Sequence, residues 1–236
     1  MFAITFLIFL QQRTINNQNI IIMVGYEEQY HESVHNSLVN NPRYYESRAK
    51  IAKRKYFHDI PENARILEFS CGLGQDTLYF PNAVGFDISD FCLEFCRQKG
   101  KKVINDLAQA EDHSFDLVFS AHTLEHVTNP FEILKTLREK LNEKGKLMLI
   151  LPCESHGKAS FEFDVNQHLF CWNFRTINNL LMTAGYSILE NKYFRGAGYD
   201  KLLFTSSLGI PVYQCVTHTV AFFSGIKEIC VIAKPK

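Results

Sequence analysis

The stretch Arg65-Ile66-Leu67-Glu68-Phe69-Ser70-Cys71-Gly72-Leu73-Gly74-Gln75-Asp76 constrains this chain more than any other. An apolar run reaches an acid and then turns through two glycines into a segment that reads as a helix start, the pattern of a buried strand, a tight turn and a helix N-terminus. Glycine is needed where backbone bends through positive φ or lies directly against a ligand, so Gly72 and Gly74 read as a floor on which something flat rests. The acid at the strand's end, Glu68, says that this ligand carries hydrogen-bond donors or positive charge. A dinucleotide loop of the form Gly-x-Gly-x-x-Gly would have its third glycine where Thr77 stands, and an acid before the loop repels a pyrophosphate. The loop therefore favours a cationic, phosphate-free cofactor over a nicotinamide dinucleotide.

Further along, Ala83-Val84-Gly85-Phe86-Asp87-Ile88-Ser89 is a second buried strand ending in an acid. An acid at that distance beyond the loop accepts hydrogen bonds from ribose hydroxyls, so Asp87 supports an adenosine-containing cofactor. It could equally cap the helix expected over 90–99, although Ser89 suits that job. Asp76 to Phe80 reads as a short helix stopped by Pro81. Lys101 to Ile104 is a third strand, followed by Asn105-Asp106-Leu107. Phe115 to Ser120 is a fourth, followed by Ala121-His122-Thr123-Leu124-Glu125-His126-Val127-Thr128-Asn129-Pro130. Asn129 caps the next helix, Pro130 occupies its first position, Phe131, Leu134, Leu137 and Leu141 form its buried stripe, and Gly145 is expected to end it. Lys146 to Pro152 is a fifth strand and Tyr186 to Arg195 a sixth, with a helix carrying Ile177, Leu180, Leu181 and Ala184 between them. Gly196 to Gly209 reads as a loop or small insertion over the site, Val212 to Phe223 is apolar but of no readable type, and Glu228 to Pro235 is a terminal strand.

These motifs, in this order, resemble class I S-adenosylmethionine (AdoMet) dependent methyltransferases, the group that includes ubiquinone-biosynthesis enzymes. Glu68-x-Ser70-x-Gly72-x-Gly74 is similar to their first motif, with serine at the first glycine. Phe-Asp-Leu-Val followed by Leu-Glu-His-Val and Asn-Pro is similar to their fourth motif and its sequel. The resemblance implies a Rossmann-like three-layer α/β/α sandwich, whose seven-stranded, mainly parallel sheet has its terminal strand antiparallel between the fifth and sixth. It implies AdoMet as cofactor, held by Glu68, Ser70, Gly72, Gly74, Asp87, Ile88, Asp106, Leu107 and Ser120, with Asp106 meeting the adenine amino group. Pro42 to Phe57 has helical spacing, and Tyr44-Tyr45-x-x-Arg48 resembles a signature of lid helices in small methyltransferases, from which Tyr45 and Arg48 could reach the AdoMet carboxylate. Asp-x-x-x-His168-Leu-Phe-x-Trp resembles methyltransferases of glycans or small metabolites, so the acceptor is expected to be a small molecule or glycan, methylated at oxygen.

Composition agrees with one domain over 23–236, with substrate-side loops at 153–170 and 196–225. The 236 residues are 46% hydrophobic, enough for a core, and a net charge of zero removes a general electrostatic reason to bind nucleic acid. Residues 1–22 begin with an apolar run too short to span a bilayer and lack a basic start, so they read as a translation-start extension or disordered tail. Seven scattered cysteines without a Cys-x-x-Cys pair fit a reduced, cytoplasmic protein. Cys92 and Cys96 read as core residues of one helix face.

An oxygen nucleophile calls for a base tuned near neutral pH, which makes His168 and His122 the catalytic candidates, with Glu154 and Asp164 as orienters. His122 and His126 are four apart with Glu125 between them. Zinc-protease helices place the glutamate beside the first histidine and supply a third ligand downstream, so no metal is expected from this spacing. Two alternatives remain open at this point: an inactive AdoMet-binding scaffold and a nicotinamide-dependent oxidoreductase.

Overall fold

The computed structural model describes residues 35–153, 168–196 and 200–236, together with the backbone of 11–15 and 18–22. Those last two segments, inside the stretch read as an extension or tail, pair as an antiparallel hairpin. The main sheet has seven strands: β1 (Ile66–Phe69), β2 (Ala83–Phe86), β3 (Lys102–Ile104), β4 (Phe115–Ala121), β5 (Leu141–Pro152), β6 (Tyr186–Arg195) and β7 (Lys227–Pro235). Their spatial order is β3-β2-β1-β4-β5-β7-β6. The first five neighbours are parallel, and β7 runs antiparallel between β5 and β6, as the sequence implied.

Both faces of the sheet are covered, which is why its central strands read as continuous apolar runs. The two-residue period nevertheless sorts their side chains. Leu67, Phe69, Val118, Leu147, Leu149 and Val231 point to one face, where α4 (Pro130–Lys140) and α5 (Phe174–Thr183) bring Ile133, Leu134, Leu137, Ile177 and Leu181. Ile66, Leu117, Phe119, Met148, Ile150 and Cys230 point to the other, against Ala52, Tyr56, Phe57 and Phe80. The second face is closed by α2 (Pro42–Lys55), capped by Asn41 with Pro42 at its first turn. A smaller apolar cluster joins α1 (Asn36–Asn40), α2, Leu73 of the glycine loop, Cys92 of α3 (Asp90–Gln98) and Tyr213 of α6 (Ile210–Phe223). Cys92 and Cys96 are buried core residues of α3.

Three local expectations need correction. Residues 76–80 form turns rather than a helix, with Phe80 N donating to Thr77 O at 3.0 Å. The Thr77 hydroxyl is drawn inward onto Glu68 and Lys101, and Pro81 forbids continuation, so five residues cannot repay helix nucleation. Gly145 does not end α4, which stops at Lys140; β5 begins immediately and Gly145 lies within it. Its role is close approach, since a Cβ there would sit 2.6 Å from the Phe115 carbonyl oxygen beside the register shift between β4 and β5. The segment from 196 to 209 is not all loop, because Asp200–Leu208 winds as a 3-10 helix leading into α6.

Gly145→Ala should therefore destabilise the fold by about 1–3 kcal/mol, the range for forcing atoms into a packed site. Urea denaturation would show a lower midpoint with unchanged slope.

Candidate functional site

The carboxyl ends of β1, β2 and β4 and the first residues of β7 open onto one cavity of roughly 310 Å³. In open α/β sheets this is where ligands sit. The glycine loop forms its floor. Ser70, Gly72 and Gly74 take positive φ of 56°, 52° and 72°, an alternation that folds the chain back under β2, where Cys71 N donates to Phe86 O at 2.9 Å. Gly72 has nothing within 4 Å of where a Cβ would stand, whereas a Cβ at Gly74 would strike Cys96 Sγ at 2.7 Å. Gly72 thus faces open space, and Gly74 is glycine because of what packs behind it.

Beneath the loop, Glu68 accepts hydrogen bonds from Thr77 and from Lys101 Nζ, the latter at 3.0 Å. Lys101 Nζ also donates to Gly74 O at 2.5 Å. Glu68 lines the cavity, but this buried pairing already engages its Oε2. The neighbouring acid Asp76 is pushed up to about 6 by burial and by Glu68, against the pull of Arg48 and Lys101. Asp87 accepts from Gly72 N at 2.8 Å, Ile88 N at 2.8 Å and Ser89 N at 3.0 Å, and burial raises its pKa despite these donors. Ser89 is the cap of α3, so Asp87 is left to hold the loop and face the cavity.

At the other end, His122 leaves β4 with φ of 53° and its N–H bonded to Ile150 O at 2.8 Å. Its ring, 46% exposed, meets Glu228 Oε1 through Nε2 at 3.2 Å and lies 3.7 Å from Glu125 Oε1 through Nδ1. The cleft walls work against charge on this imidazole, but the Glu228 hydrogen bond and charge outweigh them and raise its pKa. Glu228 in turn accepts from Lys55 Nζ at 2.5 Å and from Tyr56 Oη at 3.0 Å. Burial pushes the Glu228 carboxyl up, yet His122 and Lys55 together bring it down to about 2. Burial lowers the Lys55 pKa against the pull of that same carboxylate, and the nearby Arg48 charge adds to the lowering.

Of the sequence candidates, Arg48, Glu68, Ser70, Gly72, Asp87, Ile88 and His122 line the cavity. Tyr45 sits behind it, donating to Leu73 O at 2.9 Å and so bracing the loop. Asp106 caps the single turn Leu107–Gln109 through Ala108 N, while Leu107 and Ser120 are buried. His168 packs edge-on against His126 with ring centroids 4.8 Å apart, and Leu169 N and Phe170 N hold the strap to Glu125 O at 2.7 and 3.2 Å. Glu154 and Asp164 lie outside the described residues. Sequence reasoning missed Asp76, Lys101, Lys55 and Glu228 as site residues. The signal for Glu228 was present: it stands at the start of an apolar strand beside the cavity, as Glu68 and Asp87 stand at the far ends of theirs.

Residues 43–191 match the family model described as a methyltransferase domain, which covers well over half of the chain. The chain belongs to that family, the class I AdoMet-dependent methyltransferases. Among curated proteins it is similar to phosphoethanolamine N-methyltransferase 1 of Zea mays, 27% identical over 119 residues, 44% of this chain and 24% of that protein. It is also similar to the phosphoethanolamine N-methyltransferase of Triticum aestivum, 25% identical over 145 residues, 54% of this chain and 29% of that protein. The chain thus spans less than a third of the length of these relatives. In fold it resembles phosphoethanolamine N-methyltransferase 2 of Haemonchus contortus, solved with phosphomonomethylethanolamine and S-adenosylhomocysteine. The TM-score is 0.55 at 16% identity, covering 91% of this chain and 61% of that one.

Ser70 occupies a left-handed conformation that glycine adopts without strain, so Ser70→Gly should stabilise the protein by about 0.5–1 kcal/mol in urea denaturation. Glu228 contributes stability that is present above its unfolded pKa, 4.5, and is lost as pH falls towards its folded value of about 2. That difference corresponds to on the order of 3 kcal/mol at pH 7. Glu228→Gln should lose up to that amount at pH 7, and the gap to the parent should narrow as denaturation is repeated below pH 4.5.

Proposed function

We propose that this protein transfers the methyl group of AdoMet to an oxygen nucleophile of a small-molecule or glycan acceptor. The observation that carries this reading is His122, set at the cavity's far end from Asp87 and oriented by Glu228. The residues present suit the cofactor. Gly72 leaves open space for a flat group, Asp87 lies where ribose hydroxyls bind in such folds, and Asp76 and Glu68 supply negative charge for a cationic amino-acid end. Bound there, AdoMet supplies an electrophilic methyl group on a sulfonium.

The chain's own contribution is placement and a proton acceptor. Because β2, β1, β4, β5 and β7 are successive neighbours, residues at their ends form a row from Asp87 through the glycine loop to His122 and Glu228. Methyl displacement needs nucleophile, carbon and sulfur in line, and such orientation is worth as much as about 7–11 kcal/mol in the best cases. With Nε2–H directed to Glu228, Nδ1 of His122 is the nitrogen that takes the acceptor's hydroxyl proton. The lid helix α2 closes the row from above through Arg48, and Lys55 fixes its end to Glu228.

An amine acceptor is the second reading, favoured by the N-methyltransferase activity in the names of the curated relatives. A neutral amine needs no base to attack, so the two readings differ in what His122 does.

Calorimetry of the purified chain with S-adenosylhomocysteine and with NADH should show binding of the former alone; binding of NADH instead, or of neither, sinks the cofactor assignment. In assays of labelled methyl transfer to hydroxylated and amine acceptors, His122→Ala should lower kcat on a hydroxyl by about 100-fold, the scale of general-base catalysis. Affinity for S-adenosylhomocysteine should stay within a few-fold of the parent. Undiminished turnover in the variant would remove His122 from the mechanism.

A further inference from the structure

The fold supplies what the spacing of His122, Glu125 and His126 lacked. Across the strap that Glu125 O holds through Leu169 N and Phe170 N, His168 arrives beside His126, and one ligand atom from each of Glu125, His126 and His168 lies within 4.8 Å of the others. His126 Nε2 is 3.8 Å from Glu125 Oε1. Glu125 is fully buried at 0% exposure, and the two imidazoles are part-buried. A buried carboxylate ringed by imidazoles is a concentrated donor set in a place where unbalanced charge is costly.

We propose that Glu125, His126 and His168 form a divalent cation site at the acceptor end of the cavity. Two imidazoles and a carboxylate are the donor set of open zinc centres and of other first-row metal sites that keep positions for substrate. Zinc–nitrogen bonds of about 2.0–2.1 Å place tetrahedral ligands roughly 3.4 Å apart, so a set spread over up to 4.8 Å must contract by up to about 1.4 Å. Glu125 and His126 stand on one tight turn and His168 on an irregular segment, so the contraction falls on a turn and a loop rather than on a strand. Of the three, His126 lines the cavity, so a cation held here would meet an acceptor on the His126 side. There it would bind acceptor oxygen atoms and hold the nucleophile in place, a step that rests on the methyl-transfer reading; cation binding itself does not.

The experiment is a titration of the chelator-treated full chain with cobalt(II) chloride, followed by visible absorption, in parallel with calorimetric titration of S-adenosylhomocysteine. Nitrogen and oxygen ligation of cobalt gives visible bands, whereas thiolate ligation by the chain's free cysteines adds a near-ultraviolet charge-transfer band. The expected result is one equivalent bound with visible bands and no thiolate band. His168→Ala should weaken it about 100-fold, and His113→Ala, a change at an exposed histidine elsewhere, should leave it unchanged. Undiminished S-adenosylhomocysteine affinity would show that His168→Ala is folded; if that variant misfolds, His168→Asn takes its place under the same criterion. No cobalt bands in the parent, a thiolate band, or equal cobalt affinity in the folded His168 variant would overturn the site. Binding of S-adenosylhomocysteine without cobalt would reject the metal and leave the methyltransferase standing.

Discussion

The buried ion pair between Glu68 and Lys101 sets the geometry on which the rest of the site depends. Both side chains are almost wholly withdrawn from water, at 3% and 6% exposure. Such a pair gains little net stability, because the cost of desolvating two charges offsets their attraction. What it does here is structural. One ammonium reaches from the start of β3 under the loop, binding the acid of β1, the Thr77 hydroxyl and the Gly74 carbonyl at once. The glycine loop is thereby fixed before any ligand arrives, and Asp87 ties its upper side through Gly72 N. A floor held from below and behind loses little entropy when something lies on it.

A second carboxylate performs the corresponding task at the other end of the cavity. Glu228 joins Lys55 and Tyr56 at the end of α2 to His122 at the end of β4, so one anion registers that helix and the candidate base against the same edge of the sheet. The two anchors differ in one respect. Glu68 and Lys101 are almost wholly buried, while the His122 ring is about half exposed to the cavity. The same fold therefore gives one buried, rigid end of the cavity and one more accessible end.

Much of this was legible in the sequence, and the parts that were not share physical causes. Strands buried on both faces announce themselves as apolar runs, and Tyr186–Arg195 matches its sequence reading at both ends. Two caps were equally clear: Asn129 and Ser89 each accept from the backbone of the helix they open. The α6 helix was unreadable because Ile210–Phe223 carries no charged residue to mark an outer face. It buries only Tyr213, Thr217 and Ala221, one stripe four residues apart, and leaves Phe222 and Phe223 largely exposed. Lys55, Lys101 and Glu228 escaped notice because ion-pair partners far apart in sequence leave no local pattern. The motif letters of Leu-Glu-His-Val were visible, but not that a later strap would lay His168 against them.

Strain gives an independent marker of where function lies. Three described non-glycine residues have positive φ, and two of them, Ser70 and His122, line the cavity at 56° and 53°. Each such conformation costs about 1–2 kcal/mol for a residue with a Cβ, and persists only where the surroundings over-determine it. At Ser70 the neighbouring hydrogen bond from Cys71 N to Phe86 O does so; at His122 it is the bond from its own N–H to Ile150 O. Glycine at position 122 would relax the backbone but supply no imidazole. The left-handed turn is what carries the ring off the end of β4 towards Glu228, so the strain there is the consequence of placing a titratable side chain where an ordinary strand end could not deliver it.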